Sequence, residues 1–139
     1  MLNEDTIFAR IVKKEIPAAI IHEDDEILAF LDIKPANKGH CLVIPKKGYV
    51  TFGDIPDDLL GRLFTVAKKV AQAVKEVTGC DGYNVLMNAG EAAGQVVMHA
   101  HVHIIPRFKI DSWNFSWPEE QYDTDELENL KADLLKHLG

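Results

Sequence analysis

Apolar positions along the chain keep two rhythms. Between residues 56 and 79 they recur at three- and four-residue steps (Leu59, Leu63, Ala67, Val70, Val74, Val77), which predicts one long amphipathic helix. Pro56 suits its first position, Asp57 and Asp58 put negative charge at its amino end, and Gly79 is the expected cap. Leu127, Leu130, Leu134 and Leu138 repeat that rhythm and predict a final helix over 125–138. A shorter amphipathic segment, 6–14, places Ile7, Phe8 and Ile11 on one side. It is expected to stop at Pro17, because proline disfavours helix in the residue before it. Elsewhere the rhythm is that of strands. Runs 19–23 and 27–33 flank Asp24-Asp25-Glu26 in a hairpin signature. Strand 40–45 follows the loop 34–39, strand 82–88 follows the long helix, and a small-residue loop 89–94 leads to a long strand 96–105 closed by Pro106. Strands come in runs and outnumber helices, so an α+β domain around an antiparallel sheet is expected. No repeat, low-complexity tract or linker interrupts the chain, and one domain over 1–139 is the simplest organisation.

Composition narrows the functional classes. The 139 residues weigh 15.6 kDa, enough for a core without staples, and 47% are hydrophobic, which excludes disordered and disulfide-scaffold classes. Fifteen basic against twenty-two acidic residues leave a net charge of -7 and a pI near 5.3. Proteins that wrap long nucleic acid draw affinity from lysine and arginine on phosphates, so such a partner is not expected. Cys41 and Cys80 fit no metal or redox spacing and are read as buried thiols of a reduced, cytoplasmic protein. The longest stretch without Asp, Glu, Lys or Arg, 92–106, is too short and polar to span a bilayer.

Candidate chemistry concentrates in Gly94-Gln95-Val96-Val97-Met98-His99-Ala100-His101-Val102-His103-Ile104-Ile105. Three of the six histidines alternate with apolar residues. On a strand this puts three imidazoles in a row about 7 Å apart, with Ala100, Val102 and Ile104 turned to the core. The residues alone leave three readings: a solvated face, a metal site built on H-x-H, or nucleophilic catalysis by one imidazole at phosphorus.

The spacing H-x-H-x-H, followed by two apolar residues and preceded by Gly-Gln, resembles the motif of the histidine-triad (HIT) nucleotide-binding proteins. The resemblance continues through Ile7-Phe8 with Ile11 and Glu15-Ile16-Pro17, Glu23-Asp24-Asp25, Ala29-Phe30-Leu31-Asp32-Ile33 and His40-Cys41-Leu42-Val43-Ile44-Pro45-Lys46. It is nearest the Hint-like prokaryotic branch, while Ser112-Trp113 and Trp117-Pro118 also resemble the Fhit branch. It implies a HIT fold: an antiparallel sheet, one long central helix, a C-terminal helix, and a homodimer that joins two sheets into one. It implies hydrolysis of purine nucleoside phosphoramidates or related nucleotide conjugates, with a ligand such as AMP or GMP and no cofactor. By position, His101 is the nucleophile that becomes a nucleotidyl-histidine, His103 assists at the phosphate, and His99 orients. Asp32 takes the ribose hydroxyls, Phe8, Ile11, Ile16, Leu31 and Ile33 form the base slot, and Asn88, Gly94 and Gln95 meet the 5′-oxygen and phosphate. His40 stands behind these as a hydrogen-bonded supporting residue.

Two departures qualify the resemblance. Many prokaryotic relatives carry C-x-x-C near the start, and a histidine after Val-Ile-Pro-Lys-Lys, as zinc ligands. Thr6, Ala9 and Gly48 occupy those positions here, so no metal is expected. Val96 stands where Hint-like relatives often have serine or threonine, which leaves the leaving group open. The alternatives are a dinucleoside polyphosphate hydrolase of the Fhit type and a non-catalytic nucleotide-binding regulator.

Overall fold

The computed structural model describes residues 1–114 and 116–139. Five strands form one antiparallel sheet in the order β1-β2-β3-β5-β4: β1 Ile20–Glu23, β2 Ile27–Leu31, β3 Cys41–Pro45, β4 Gly82–Leu86 and β5 Val102–Arg107. Three α-helices accompany it: α1 Ile7–Val12, α2 Asp57–Thr78 and α3 Glu126–Leu138. The α+β class with an antiparallel sheet is therefore observed.

Both faces of the sheet are covered, which explains why β2 and β3 read as unbroken apolar runs. Ile27, Ala29, Cys41, Val43, Val102 and Ile104 point to one face, where Leu59, Leu63, Val66, Ala67, Val70, Ala71 and Val74 of α2 cover them. Leu28, Phe30, Leu42 and Ile44 point to the other, where Phe8 and Ile11 of α1 meet them. Alternation along β5 fixes His103 on this second face, since it pairs with Leu42 while its neighbours Val102 and Ile104 enter the first core.

Several local expectations are corrected. Helix α2 begins at Asp57 and ends at Gly79 in a left-handed conformation (φ 64°), as its caps predict, but Val77 is 85% exposed while its neighbour Thr78 is the residue turned inward, towards Gly39. Helix α1 stops at Val12, well before Pro17. Lys13 closes it by donating to Ala9, and Lys14 turns into positive φ (63°). Its Ile7 is half exposed while Phe8, Ala9 and Ile11 are buried. The largest correction concerns the histidine segment. The strand starts at Val102, includes Pro106 and leaves residues 96–101 irregular. Their hydrogen bonds go elsewhere: the Ala100 amide donates to the Tyr49 carbonyl, and the His99 carbonyl accepts from an imidazole ring.

Beyond β5 the chain turns on Arg107, whose guanidinium grips Asp111 with two bonds of 2.9 and 3.0 Å, donates to Asn84 and lies over the Trp113 ring. Helix α3 follows, with Leu127, Leu130, Leu134, Leu135 and Leu138 all 45–80% exposed. Both cysteines are buried and free, and burial pushes the Cys41 thiol up to about 11. Among the described residues no helix is long and apolar enough to cross a membrane.

Candidate active site

A cleft of about 550 Å³ opens on the α1 face of the sheet. Phe8, Ile11, Ile16, Leu31, Asp32, Ile33, Asn88, Gly94, His101 and His103 all line it, so residues far apart in sequence converge on one cleft. Ile7, Pro17, Leu42 and Val97 add apolar wall that the sequence did not single out. Ile33 (85% exposed) and Val96 (87%) stand at its mouth. Gly94 adopts φ 97°, a conformation that residues with a Cβ rarely take, and packs beside the Asn88 amide.

Two of the expected site residues lie behind the cleft. Gln95 is 2% exposed, and its amide is consumed within the protein: Oε1 accepts from the Gly90 amide at 2.8 Å, and Nε2 donates to the Val50 and Val97 carbonyls at 2.6 and 3.0 Å. It braces the loop and does not present itself to a phosphate. His99 is fully buried. Nor do the histidines form a row at 7 Å, because the backbone is not extended through 99–101; the rings of His101 and His103 lie 4.8 Å apart.

Each buried imidazole is fixed by neighbours that dictate where its proton sits. Burial pulls the basicity of all four below the ordinary value of 6.5, so they are neutral near pH 7, and His103 falls to about 4. In His99, Nε2–H donates to the Pro45 carbonyl (2.7 Å) and Nδ1 accepts from the Thr6 hydroxyl (3.3 Å). In His101, Nδ1–H donates to the His99 carbonyl (2.7 Å), which leaves Nε2 with a free lone pair. Phe8 stands edge-on to this ring at 5.0 Å.

His40 is tied into the same network by hydrogen bonds at both ring nitrogens. The Ala36 amide donates to its Nδ1 (3.0 Å), so its proton is on Nε2, 2.9 Å from His103 Nδ1. His103 must then accept there and carry its own proton on Nε2. Asp32 Oδ2 lies 3.8 Å from the same His40 nitrogen, while Oδ1 accepts the Lys34 amide at 2.9 Å. Lone pairs remain on both carboxylate oxygens for a vicinal diol. The available signal for His40 was a histidine opening an otherwise apolar strand. The signal for Thr6 was its place just before the first amphipathic helix.

A zinc site does not fit these residues. Thr6 offers a hydroxyl already engaged as the α1 cap, Ala9 offers a methyl, and a Cβ on Gly48 would lie 1.9 Å from the Asn3 carbonyl oxygen. Among the described residues no group of three His, Cys, Asp or Glu side chains is arranged for a metal. The cleft itself presents a neutral imidazole with a free Nε2, a second imidazole with its proton on Nε2, and a carboxylate beside apolar walls.

The lowered basicity has a measurable consequence. A group whose folded pKa lies below 6.5 contributes stability that is complete above that pH and is lost as the pH falls, because the unfolded chain binds protons first. Each such histidine adds a slope of at most about 1.4 kcal/mol per pH unit. The urea midpoint should therefore be lower at pH 5 than at pH 7.5; an equal or higher midpoint at pH 5 would contradict neutral, buried imidazoles.

Comparison with known proteins places this geometry in context. The HIT domain family model matches residues 13–110. An adenosine 5′-monophosphoramidase of Saccharomyces cerevisiae is 41% identical over 138 residues, covering 99% of this chain and 85% of the yeast protein. A purine nucleoside phosphoramidase of Escherichia coli is 40% identical over 107 residues, covering 75% of this chain and 88% of that protein. The crystal structure of a HIT family member from Bacillus subtilis superposes with a TM-score of 0.90 at 38% identity, over 98% of this chain and 99% of the other.

Proposed function

The chain belongs to the HIT family, and from that premise we propose that it hydrolyses purine nucleoside phosphoramidates or related nucleotide conjugates to the nucleoside monophosphate. The observation that carries the reading is His101: a neutral imidazole bordering an apolar cleft, tied at Nδ1 and free at Nε2. The base occupies the slot of Phe8, Ile11, Ile16, Leu31 and Ile33, and its ribose hydroxyls donate to Asp32. Nε2 of His101 attacks the α-phosphorus, and the P–N bond breaks as the nitrogen takes up a proton from water and departs as the amine. A second water then cleaves the nucleotidyl-histidine, adding hydroxide to phosphorus, returning a proton to solvent and restoring the lone pair. His103 donates its Nε2–H to a phosphoryl oxygen, and His40 keeps that proton in place. Asn88 and Gly94 border the phosphate end. Gln95 and His99 support this machinery without touching the nucleotide. Residues 1–139 act as one domain of a homodimer. The open β4 edge, with Tyr83 and Val85 exposed, and the uncovered leucines of α3 support pairing.

His101→Ala should abolish turnover of an adenosine phosphoramidate and leave AMP binding measurable by calorimetry, because binding is spread over Asp32 and the slot. Turnover within tenfold of wild type would remove His101 from its role. Running a diadenosine polyphosphate beside the phosphoramidate decides between leaving groups, and the amide should be the better substrate.

Asp32 supplies a second test. Charge-assisted bonds to the two ribose hydroxyls contribute about 1.5–3 kcal/mol each, so dAMP should bind roughly tenfold or more weakly than AMP. Asp32→Asn, with one acceptor oxygen instead of two, should narrow that gap; equal affinities in wild type would leave Asp32 a strand-end turn residue.

Pairing is tested by sedimentation at micromolar concentration, where the expected mass is twice 15.6 kDa. A single species at the chain mass would exclude the dimer.

A further inference from the structure

Residues 2–6 lie along the segment that follows β3, and that segment holds the histidines. Three carbonyls are committed to the histidine loop, one at the end of β3 and two in this segment: Pro45 accepts the His99 ring, Tyr49 accepts the Ala100 amide at 2.7 Å, and Val50 accepts the Gln95 side chain. On its other side the chain start is laced down. Leu2 bridges to Tyr49, the Asn3 amide donates to the Gly48 carbonyl at 2.6 Å, and the Gly48 amide donates to the Glu4 carboxylate at 3.0 Å. The approach is so close that only a residue without Cβ fits at 48, since a Cβ would lie 1.9 Å from the Asn3 oxygen. This strap ends on Thr6. Its hydroxyl oxygen accepts the Ala9 amide at 3.0 Å, capping α1, and its proton goes to His99 Nδ1.

We propose that Thr6, delivered by this strap, is a positioning residue for the nucleophile, acting through the His99 ring. The effect of Thr6 passes through two rings. With Thr6 donating to Nδ1, His99 is the Nε2–H tautomer and donates to Pro45, so both ring nitrogens are satisfied in the core. A ring held at both ends fixes the main chain at 99, and the carbonyl of that residue holds the His101 proton on Nδ1. Removing the hydroxyl leaves a buried acceptor unsatisfied and frees the His99 ring to turn or to exchange its proton site. The inference rests on the hydrolase reading for its kinetic consequence, while the tautomer arrangement stands apart from it.

The test compares Thr6→Val, Thr6→Ser and Gly48→Ala in the full chain, with kinetics on an adenosine phosphoramidate and long-range imidazole nitrogen spectra at pH 7.5. Thr6→Val should lower kcat about tenfold with KM nearly unchanged. Its spectra should show mixed tautomers at His99 and His101, where wild type shows Nε2–H and Nδ1–H respectively. Thr6→Ser, which keeps the hydroxyl, should restore both. Gly48→Ala, which lifts the strap without altering Thr6 chemically, should lower kcat in the same way. A role limited to capping α1 would instead raise KM, because α1 carries Phe8 and Ile11 of the base slot. A kcat within twofold of wild type in Thr6→Val, or unchanged His99 and His101 spectra, would overturn the proposal. If wild type turned over no phosphoramidate, the hydrolase reading would fail and the spectra alone would decide on Thr6.

Discussion

A buried imidazole has two nitrogens to satisfy and, while neutral, one proton with which to do so. Wherever one ring nitrogen meets a fixed carbonyl or amide, the state of the other is decided. This constraint organises the cleft. The His99 carbonyl makes His101 a lone-pair donor at Nε2, and the Ala36 amide, acting through His40, makes His103 a proton donor at Nε2. Two chemically identical side chains two residues apart thereby acquire opposite roles, and burial keeps both uncharged. Among the described residues no buried side-chain nitrogen or oxygen is left without a partner, so the arrangement has little freedom to relax.

The same demand shapes the backbone. A regular strand through 96–101 would use the carbonyls and amides of that segment in a ladder. Instead Ala100 reaches to Tyr49, the His99 carbonyl serves a side chain, and Gln95 threads its amide between Val50 and Val97. The sheet begins at Val102, where the apolar alternation of Val102, His103 and Ile104 can be honoured on both faces. An overall charge of -7 does not intrude: the cleft carries one carboxylate and one lysine, Asp32 and Lys34, among largely apolar walls.

What the sequence disclosed follows from the range of the interactions involved. The long helix and its Gly79 cap, the hairpin of β1 and β2, and the inward face of Ala100, Val102 and Ile104 depend on local periodicity and were legible. The irregular stretch 96–101 was not, because its acceptors lie some fifty positions away. Gln95 was misplaced for a related reason. Nothing in the sequence distinguishes an amide aimed at a ligand from one spent on distant carbonyls. Val77 shows the limit of a helical stripe, since at the last turn the inward position falls to Thr78 instead. Thr6 looked like an absence, a lost thiolate, until its hydroxyl was found against His99.

The cradle formed by Pro45, Tyr49 and Val50 makes its hydrogen bonds to the histidine loop through main-chain oxygens. An oxygen of that kind is present whichever amino acid occupies the position. Natural variation at 49 and 50 can therefore run freely, constrained by packing but not by the hydrogen bonds that hold the imidazoles in register. The histidines are recorded in the gene; much of what makes them unlike one another is recorded only in the path of the chain. Lineages could thus drift far apart along this segment and still inherit the same protonation pattern.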